Sequence, residues 1–522
     1  MLRFQVVLVN ETRSLIITCK LTASGLREAR IVILFRKIVF YIFLLLYLVT
    51  CPLLLLYAFG FIVKPGAEYG LVKTGLIYLS TAPSDARVYL GSSRYSKKTP
   101  VMIRDLTPGT YTLRVSHEGY QTWEQTIPVE AEKASVLDYV LLLPDQWETH
   151  EFSDQPFDEL RVGEGSGQGL LRRGELAEGL MTFDLKTESL KSLFEASSPL
   201  AGARVKKIFF GKESTLILLH LELNEAVSFI VVDLAHPEKT PRDITFLFSR
   251  LPDEVFWEKG QLEYFFSFQD GVVDRLNIQD HEVKPAILKN LRGLAIHEGN
   301  LYGIRHDGLV IRTDRNGKDE TFLLDDPVLA RSLFGTEGRY KIWARDSGLT
   351  VFIGSKGELI SNRLPYRMVE AGVLGVDYFK KNRKLLIWLK NRIGVIDFQK
   401  EKTSESGMFE KGTSLNWIYR EGSNIVQAFW VYEGSHVLFR EGDRVRLIDT
   451  ETYDAPRVDE VIEVNPGSAI HYEEETGYLY YLERDSGHLK ALEILPKKAV
   501  ISLPFPDRNE ATKVREKNNR EV

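Results

Sequence analysis

Few residue patterns in this sequence could do chemistry, and the most conspicuous is rich in glycine. Gly163-Glu164-Gly165-Ser166-Gly167-Gln168-Gly169 lacks the Lys-Ser/Thr pair with which a P-loop holds phosphate, and it does not match G-x-G-x-x-G. No G-x-S-x-G, H-E-x-x-H or C-x-x-C sequence occurs. We therefore interpret the glycines as a flexible loop or a turn, and we predict no catalytic or cofactor-binding residue.

A second pattern resembles the start of a calcium loop. Asp314-Arg315-Asn316-Gly317-Lys318-Asp319 has Lys318 where a third Asp or Asn is needed and Asp319 where Gly is needed. The ten histidines show no metal-ligand spacing. We predict a hairpin turn at 314–319 and no metal site. We expect three histidines to be exposed at or near turns: His306, His436 and His488.

Four acids recur at equivalent places along the chain: Asp184, Asp233, Asp397 and Asp449. Each ends a short apolar segment that a turn follows. A carboxylate at this place can accept hydrogen bonds from the backbone N–H groups of the turn. The repetition therefore favours a structural role over a ring of functional acids.

The chain also carries one long apolar segment, residues 38–63, without a charged residue. About 26 residues give about 39 Å of helix, enough to cross a bilayer. Basic residues precede it, so the positive-inside rule predicts a cytoplasmic segment 1–37 and an extracytoplasmic body. A cleaved signal peptide is the alternative. The segment is longer than a typical signal-peptide core, and no A-x-A-like site follows it.

Charge and cysteine content narrow the class of protein. The chain has 522 residues and net charge −5; the first 63 residues carry seven Lys/Arg and two Asp/Glu, leaving the rest at about −10. An acidic body argues against nucleic acid as a partner. Cys19 and Cys51 both precede residue 64, so the body cannot form an internal disulfide.

Residues 64–144 read as a small all-β domain. Six short segments alternate between apolar and polar residues, and turn residues separate them. In Thr110–Ser116, for example, Tyr111, Leu113 and Val115 share one face. We predict a compact antiparallel β-sandwich of five or six strands. Arg94, Lys97 and Lys98 lie at a predicted hairpin tip; we expect them to be solvated, with contact to an anionic polymer as the alternative.

This domain resembles the PEGA domain, which is named for a Pro-Glu-Gly-Ala turn. Pro83-Ser84-Asp85-Ala86 occupies the naming turn, with Asp85 where the family usually has Gly; Asp also tolerates left-handed dihedral angles. The resemblance implies an interaction or spacer module of the bacterial envelope, without chemistry of its own. The residues that carry it are Pro83, Asp85, Ala86, Gly91, Thr99, Pro100, Leu106, Pro108, Gly109, Tyr111, Gly119, Tyr120 and Trp123.

Residues 145–502 contain about eight copies of a short apolar segment that ends in or carries a polar residue. The copies begin near residues 181, 230, 274, 310, 357, 394, 446 and 489, about 44 residues apart on average. This period is typical of four-stranded propeller blades, so we predict a seven- or eight-bladed β-propeller, with a long β-sandwich array as the alternative. We expect helices only at Pro327–Leu333 and Leu190–Ser197, and a disordered tail at 503–522.

Together these features predict a mainly β, single-pass membrane protein of the cell envelope, with a PEGA-like module and a propeller that bind or scaffold. The expected partners are the membrane and a protein or cell-wall polymer. Three alternatives remain: a carbohydrate-binding protein, a propeller-type hydrolase or lyase, and a sensor that passes a signal inward. Fold alone does not choose among them.

Overall fold

The computed structural model describes residues 23–58, 61–63, 71–163, 165–211, 214–258, 263–345, 348–362, 366–398, 415–450, 453 and 456–495. The chain forms two compact units. One comprises 1–79, 100–113 and 126–137, and the other comprises 80–99, 114–125 and 138–522. The tail expected at 503–522 lies outside the described residues.

The long apolar segment is helical, but its limits differ from those we expected. Helix α1 spans Ala23–Ala58 and contains Pro52. Its stretch Leu34–Tyr57 is apolar and long enough to cross a membrane. The helix ends before residue 63: Phe61–Val63 forms strand β1, which pairs with β2, Leu71–Lys73. The apolar pattern did not reveal this end, because the apolar residues continue from the helix into the strand.

The next strands form two sheets. A three-stranded sheet has the order β6-β3-β9, and a four-stranded sheet has the order β5-β4-β7-β8. Their bounds are β3 Gly75–Ala82, β4 Arg87–Leu90, β5 Ser93–Lys98, β6 Val101–Leu106, β7 Gly109–Ser116, β8 Trp123–Val129 and β9 Ala134–Leu141. The six predicted strands are present within a few residues. Strand β5 was missed, because its sequence SRYSKK has no apolar alternation.

Eight four-stranded antiparallel sheets follow among the described residues. Sheet I contains β11 Glu159–Val162, β12 Gln168–Arg172, β13 Leu180–Asp184 and β14 Leu190–Ser192. Sheet II contains β15 Arg204–Phe210, β16 Leu216–Leu223, β17 Ala226–Asp233 and β18 Arg242–Asp243. Sheet III contains β19 Glu254–Trp257, β20 Tyr264–Gln269, β21 Val272–Asn277 and β22 Glu282–Leu288. Sheet IV contains β23 Leu291–His297, β24 Asn300–Arg305, β25 Val310–Asp314 and β26 Thr321–Leu324.

The remaining four sheets repeat this order of strands. Sheet V contains β27 Tyr340–Ala344, β28 Thr350–Gly354, β29 Leu359–Ser361 and β30 Arg367–Glu370. Sheet VI contains β31 Val373–Phe379, β32 Lys384–Leu389, β33 Ile393–Asp397 and β34 Leu415–Tyr419. Sheet VII contains β35 Ile425–Val431, β36 His436–Glu441, β37 Arg444–Asp449 and β38 Val458–Glu463. Sheet VIII contains β39 His471–Glu473, β40 Tyr478–Leu482, β41 His488–Glu493 and β10 Thr149–Pro156.

The eight apolar copies found in the sequence coincide with the third strands of these eight sheets. The third strand is central in its sheet and pairs on both edges, so it has the most regular apolar pattern. The glycine-rich segment 163–169 includes the turn between β11 and β12, as the sequence indicates.

Sheet VIII joins distant parts of the chain. Strand β10 pairs with β41, so that Thr149 lies opposite Leu492 and His150 lies opposite Ala491. The first strand after the PEGA-like segment thereby completes the sheet built by the last described strands. This pairing links the last sheet to the start of the series. A series of stacked four-stranded sheets needs such a link if its ends are not to be left exposed.

The first strands of neighbouring sheets contact one another, as β15 does with β19, β23 with β27 and β31 with β35. Buried clusters fill the space between adjacent sheets; one joins Leu218 and Val231 of sheet II to Val255 and Phe265 of sheet III. The approach is close at Gly293, where a Cβ atom would lie 2.2 Å from the carbonyl oxygen of Tyr340. A propeller-like arrangement follows, with the first strands innermost.

The two predicted helices have different outcomes. Helix α2, Pro327–Phe334, is present, and Asp326 caps it by accepting hydrogen bonds from the N–H groups of Val328 and Leu329. The helix predicted at Leu190–Ser197 is wrong, because Leu190–Ser192 forms the fourth strand of sheet I. The segment lies where every sheet needs an outer strand, and this tertiary requirement overrides its local preference.

Candidate binding surfaces

The loops of the eight sheets lie on two opposite faces. Because successive strands are antiparallel, connections from first to second and from third to fourth strands share one face, which we call the joint face. Connections from second to third strands, and from each fourth strand to the next sheet, share the other, which we call the open loop face. The two faces carry different side chains.

The PEGA-like segment contacts the joint face within the second compact unit. Arg457, between β37 and β38, donates hydrogen bonds to the carbonyl oxygen of Thr122 (3.5 Å) and to Oε1 of Gln121 (3.4 Å). Leu141 and Leu143 belong to a buried cluster with residues of sheets VII and VIII. Trp123 is buried beside His436 and Asp449 in a small cavity. The last PEGA-like residues therefore form part of the propeller core.

The residues that carry the PEGA resemblance fall into three groups. Hydrogen bonds join the naming turn to Thr99: Asp85 N–H donates to its carbonyl oxygen (2.9 Å), and Ala86 N–H donates to its Oγ1 (3.0 Å). The second group lies where the PEGA-like segment meets the joint face and consists of Gly119, Tyr120 and Trp123. The remaining members occupy separate strands and turns: Pro83, Gly91, Pro100, Leu106, Pro108, Gly109 and Tyr111.

The backbone conformation of Asp85 explains why Asp can stand where the family usually has Gly. Its φ of +66° lies in the left-handed region, which Gly adopts most easily and Asp tolerates.

Tyr120 forms an isolated β-bridge with Pro144. Burial together with nearby Glu493 and Glu148 raises the pKa of Tyr120. The motif residues thus support turns and one contact; the structure does not gather them into one surface site.

Two of the four recurring acids, Asp184 and Asp233, cap turns. Asp184 Oδ1 accepts hydrogen bonds from the N–H groups of Lys186 (2.9 Å) and Thr187 (2.8 Å). Burial opposes its ionisation, but these bonds and one from Gln168 outweigh it and lower the pKa of Asp184. Asp233 Oδ1 likewise accepts from Ala235 N–H at 3.2 Å. The expected structural role is therefore present at these positions.

Asp314 shows the same geometry at the calcium-like segment. Its Oδ1 accepts hydrogen bonds from the N–H groups of Asn316 (3.0 Å) and Lys318 (2.6 Å), in the turn between β25 and β26. Burial opposes ionisation, yet these bonds lower its pKa. Among the described residues, no group of three His, Cys, Asp or Glu side chains could hold a metal ion.

His436 differs from its prediction. We expected an exposed histidine near a turn, but its side chain is 4% exposed. Nδ1 lies 2.9 Å from Ser435 Oγ, and Nε2 lies 4.0 Å from Oδ2 of Asp449, its cross-strand neighbour. The neighbouring PEGA-like segment covers this end of sheet VII, which a local sequence pattern could not reveal. His306 is exposed as predicted, and His488 is partly buried beside Glu151.

The open loop face presents most of the exposed apolar side chains of the eight sheets. Seven large ones lie on its loops or at the nearby strand ends: Leu176, Val227, Phe246, Leu251, Val328, Leu374 and Val426. Four others lie toward the joint face: Phe322, Met368, Tyr453 and Val458. Leu374 and Val426, 57% and 38% exposed, occupy matching places in neighbouring sheets VI and VII. Exposed apolar groups gathered on one face indicate a contact surface.

A repeated β-bulge positions these two residues. The pairing of the first and second strands shifts between Val373 and Gly375 and again between Ile425 and Gln427. The same shift occurs in sheets II and IV, at Lys206 and Arg292. A bulge re-aims the extra residue. This surface was not predicted from the sequence. The one sequence feature that could have indicated it is an exposed residue that follows a buried residue near the start of several first strands.

Arg292 is the bulge residue that points inward. It is 3% exposed, and its guanidinium donates to the carbonyl oxygens of Phe334 (3.1 Å), Gly335 (3.1 Å) and Glu337 (2.8 Å). These carbonyls lie at and just beyond the C-terminal end of α2. The contact holds the helix on the open loop face, where Val328 is 80% exposed.

Charged residues flank the apolar positions on the same face. Lys207 Nζ donates to the carbonyl oxygen of Asp253 (2.8 Å), and Arg339 pairs with Oδ1 of Asp253 (3.1 Å). Burial opposes ionisation of Asp253, but Arg339 lowers its pKa overall. Burial raises the pKa of Glu254 despite nearby Lys341 and Lys207. The open loop face therefore combines apolar residues with a mixed-charge cluster.

Comparison with known proteins identifies one part of the chain. Residues 74–142 match the PEGA domain, so the resemblance read from the sequence is correct. No curated protein matches the chain.

Three solved structures align with about two thirds of this chain and nearly all of their own chains. The C-terminal WD40 domain of Sif2 has 11% identity and a TM-score of 0.43, covering 67% of this chain and 98% of that one. The β-propeller domain of Cps50 (Swd1) from Myceliophteria thermophila has 11% identity and a TM-score of 0.37, covering 67% and 99%. YCF48 from Cyanidioschyzon merolae has 11% identity and a TM-score of 0.36, covering 66% and 98%.

Proposed function

We propose that this chain is a membrane-anchored, extracytoplasmic binding protein of the cell envelope, without enzymatic activity. Helix α1 crosses the membrane once with the N-terminus in the cytoplasm. The PEGA domain is folded as a β-sandwich, and its residues Gln121, Thr122 and Leu141 contact the joint face. The eight sheets act as eight propeller blades, and they present the open loop face to a protein partner rather than to nucleic acid.

One observation carries this proposal: the exposed apolar side chains of the sheets concentrate on the open loop face. The joint face is partly occupied by the PEGA domain through Arg457, Leu141 and Leu143. Leu374 and Val426 are exposed at matching places on β31 and β35, first strands of neighbouring sheets that contact each other. Lys341 and Glu254 supply a charged rim, as protein interfaces commonly have.

The test is capture of envelope proteins by the full-length chain in mild detergent. The double variant Leu374→Asp with Val426→Asp should lose a partner that the wild type retains, because an interface excludes unpaired charge from its apolar centre. Met368→Asp is the matched control, since Met368 is 48% exposed toward the joint face. Equal capture by all three proteins would contradict the proposed surface.

The orientation has a separate test. A reporter enzyme active only outside the cytoplasm, fused after Val522, should be active. An active cytoplasmic reporter at the same place would overturn the extracytoplasmic assignment without bearing on the open loop face.

A further inference from the structure

The four-stranded sheet of the PEGA domain carries a basic outer face. In the hairpin formed by β4 and β5, Arg87 lies directly opposite Lys98, and Tyr89 lies opposite Arg94. Directly opposed residues point to the same side of a sheet. Arg87, Arg94 and Lys98 are all exposed, so this side of the hairpin presents three cations to solvent.

The next strand extends the same face. Arg114 of β7 is exposed, and its guanidinium carbon lies 4.7 Å from the centre of the Tyr89 ring. A cation over an aromatic ring gains a modest attraction and keeps its charge. Four cations therefore surround one tyrosine; we call Arg87, Arg94, Lys98 and Arg114 the basic face.

These cations have no acidic partner among the described residues. No carboxylate lies within ion-pair distance of any member of the basic face. Arg484 shows the contrasting case of a paired arginine: it lies 2.8 Å from Asp443 and 2.7 Å from Glu463. Like charges directly opposite each other destabilise a sheet. Because Arg87 and Lys98 are such a pair, the arrangement works against folding and is explained by an anion from outside the chain.

We propose that the basic face binds the phosphate groups of anionic lipids at the surface of the membrane that holds helix α1. The proposal rests on the membrane anchoring put forward above. Twelve residues separate Ala58 from Leu71, and they span at most about 42 Å, so the length of the chain keeps the domain near the bilayer.

Charge complementarity supports this ligand. The segment 80–99 contains four Lys or Arg residues and one Asp, a net charge of +3 in a chain whose total is −5. A flat, exposed sheet face can contact several headgroups at once, and attraction between Lys or Arg and an anionic bilayer decays within a Debye length. Binding should therefore weaken at high salt.

The test uses the full-length chain in vesicles of phosphatidylcholine, with or without 30% phosphatidylglycerol. Acylation of lysines is followed by mass spectrometry. Lys98, the lysine of the basic face, should react at least about threefold more slowly in the anionic vesicles, and 0.5 M salt should remove the difference. Lys356, exposed on the open loop face, should react equally in both and serves as the internal control.

A charge variant checks the assignment. In Arg87→Gln with Arg94→Gln, both exposed positions keep polar side chains, and Lys98 in anionic vesicles should react about as fast as it does in neutral vesicles. Polyphosphate added to the detergent-solubilised chain distinguishes a soluble polymer. Protection by polyphosphate without protection by anionic vesicles would overturn the lipid assignment.

The two proposals fail in different ways. A chain that does not co-float with vesicles at alkaline pH overturns the membrane anchoring, and the lipid contact falls with it. A chain that co-floats, but whose Lys98 reacts equally in neutral and anionic vesicles, overturns the lipid contact alone.

Discussion

The guanidinium of Arg292 lies 3.1 Å from the carbonyl oxygen of Gly335, the residue that ends helix α2. It joins the innermost strand of sheet IV to the crossover that leads to sheet V. The last carbonyl groups of a helix lack partners within the helix, and a cation there also favours the helix dipole. Burial lowers the pKa of Arg292. The three carbonyl oxygens compensate for this burial.

Replacing Arg292 with Met should destabilise the eight-sheet region by about 3–5 kcal/mol, because buried carbonyl groups lose a charged donor. Thermal unfolding should show the loss, and hydrogen exchange should accelerate across 327–335. Arg331→Met, at an exposed position on the same helix, should change little. Equal effects of both variants would show that Arg292 does not support the crossover.

Replacing Gly293 with Ala should be more disruptive than its size suggests. The new Cβ would lie 2.2 Å from the carbonyl oxygen of Tyr340, so two first strands must separate. Overpacking of this kind costs about 1–3 kcal/mol or more. Gly202→Ala is the control, because its Cβ would meet nothing within 4 Å. Similar melting temperatures for the two variants would contradict the close approach of these strands.

Asp184 should make stability depend on pH. Its folded-state pKa is lowered, so its contribution is present above the unfolded pKa of about 3.9 and is lost as the pH falls through the folded value. At pH 7, Asp184→Ala should cost about 1–2 kcal/mol, because two turn N–H groups lose their acceptor. The gap from wild type should narrow below about pH 4.

Asp184→Asn separates the charge from the hydrogen bonds. It keeps an oxygen for Lys186 and Thr187 N–H, so at pH 7 it should be closer to wild type than Asp184→Ala. Chemical denaturation at pH 7 and pH 3 measures both variants. A gap for Asp184→Ala that does not change with pH would show that the carboxylate charge is not what the turn requires.

Removal of the Arg457 side chain should loosen the joint without unfolding the sheets. Its bonds to Gln121 and Thr122 are exposed, so Arg457→Ala should cost only about 0.5–1 kcal/mol. Hydrogen exchange should increase in residues 119–123. Arg444→Ala removes another exposed, paired arginine of sheet VII and should leave that segment unchanged. Unchanged exchange in the Arg457 variant would contradict this contact.

The repeat could be predicted from the sequence because each copy recurs at the period of one sheet and also lies in a buried strand. The third strand of each sheet is central, so copies such as Ile230–Leu234 and Arg446–Thr450 keep both an apolar pattern and a terminal polar residue. The outer strands were harder to find. Strand β5 is exposed and polar, and β14 lies in a segment with helical preference.

Surfaces depend on contacts between distant residues, so they were not predictable. Leu374 and Val426 belong to separate first strands, β31 and β35, which come into contact only when sheets VI and VII pack. His436 is buried because residues more than 300 positions earlier cover it. The turn residues were predictable, since Asp85 and Asp184 act within a few residues of their own positions.

The pairing of Thr149–Pro156 with His488–Glu493 also determines when sheet VIII can form during synthesis of the chain. About 340 residues separate the two strands, so sheet VIII cannot be completed until His488–Glu493 has been synthesised. Until then the edge of β10 that pairs with β41 is unpaired. The part of sheet VIII that precedes β41 has an unpaired edge as well. Unpaired edges template association with other chains. The nascent protein is therefore most vulnerable to aggregation before His488–Glu493 has been synthesised.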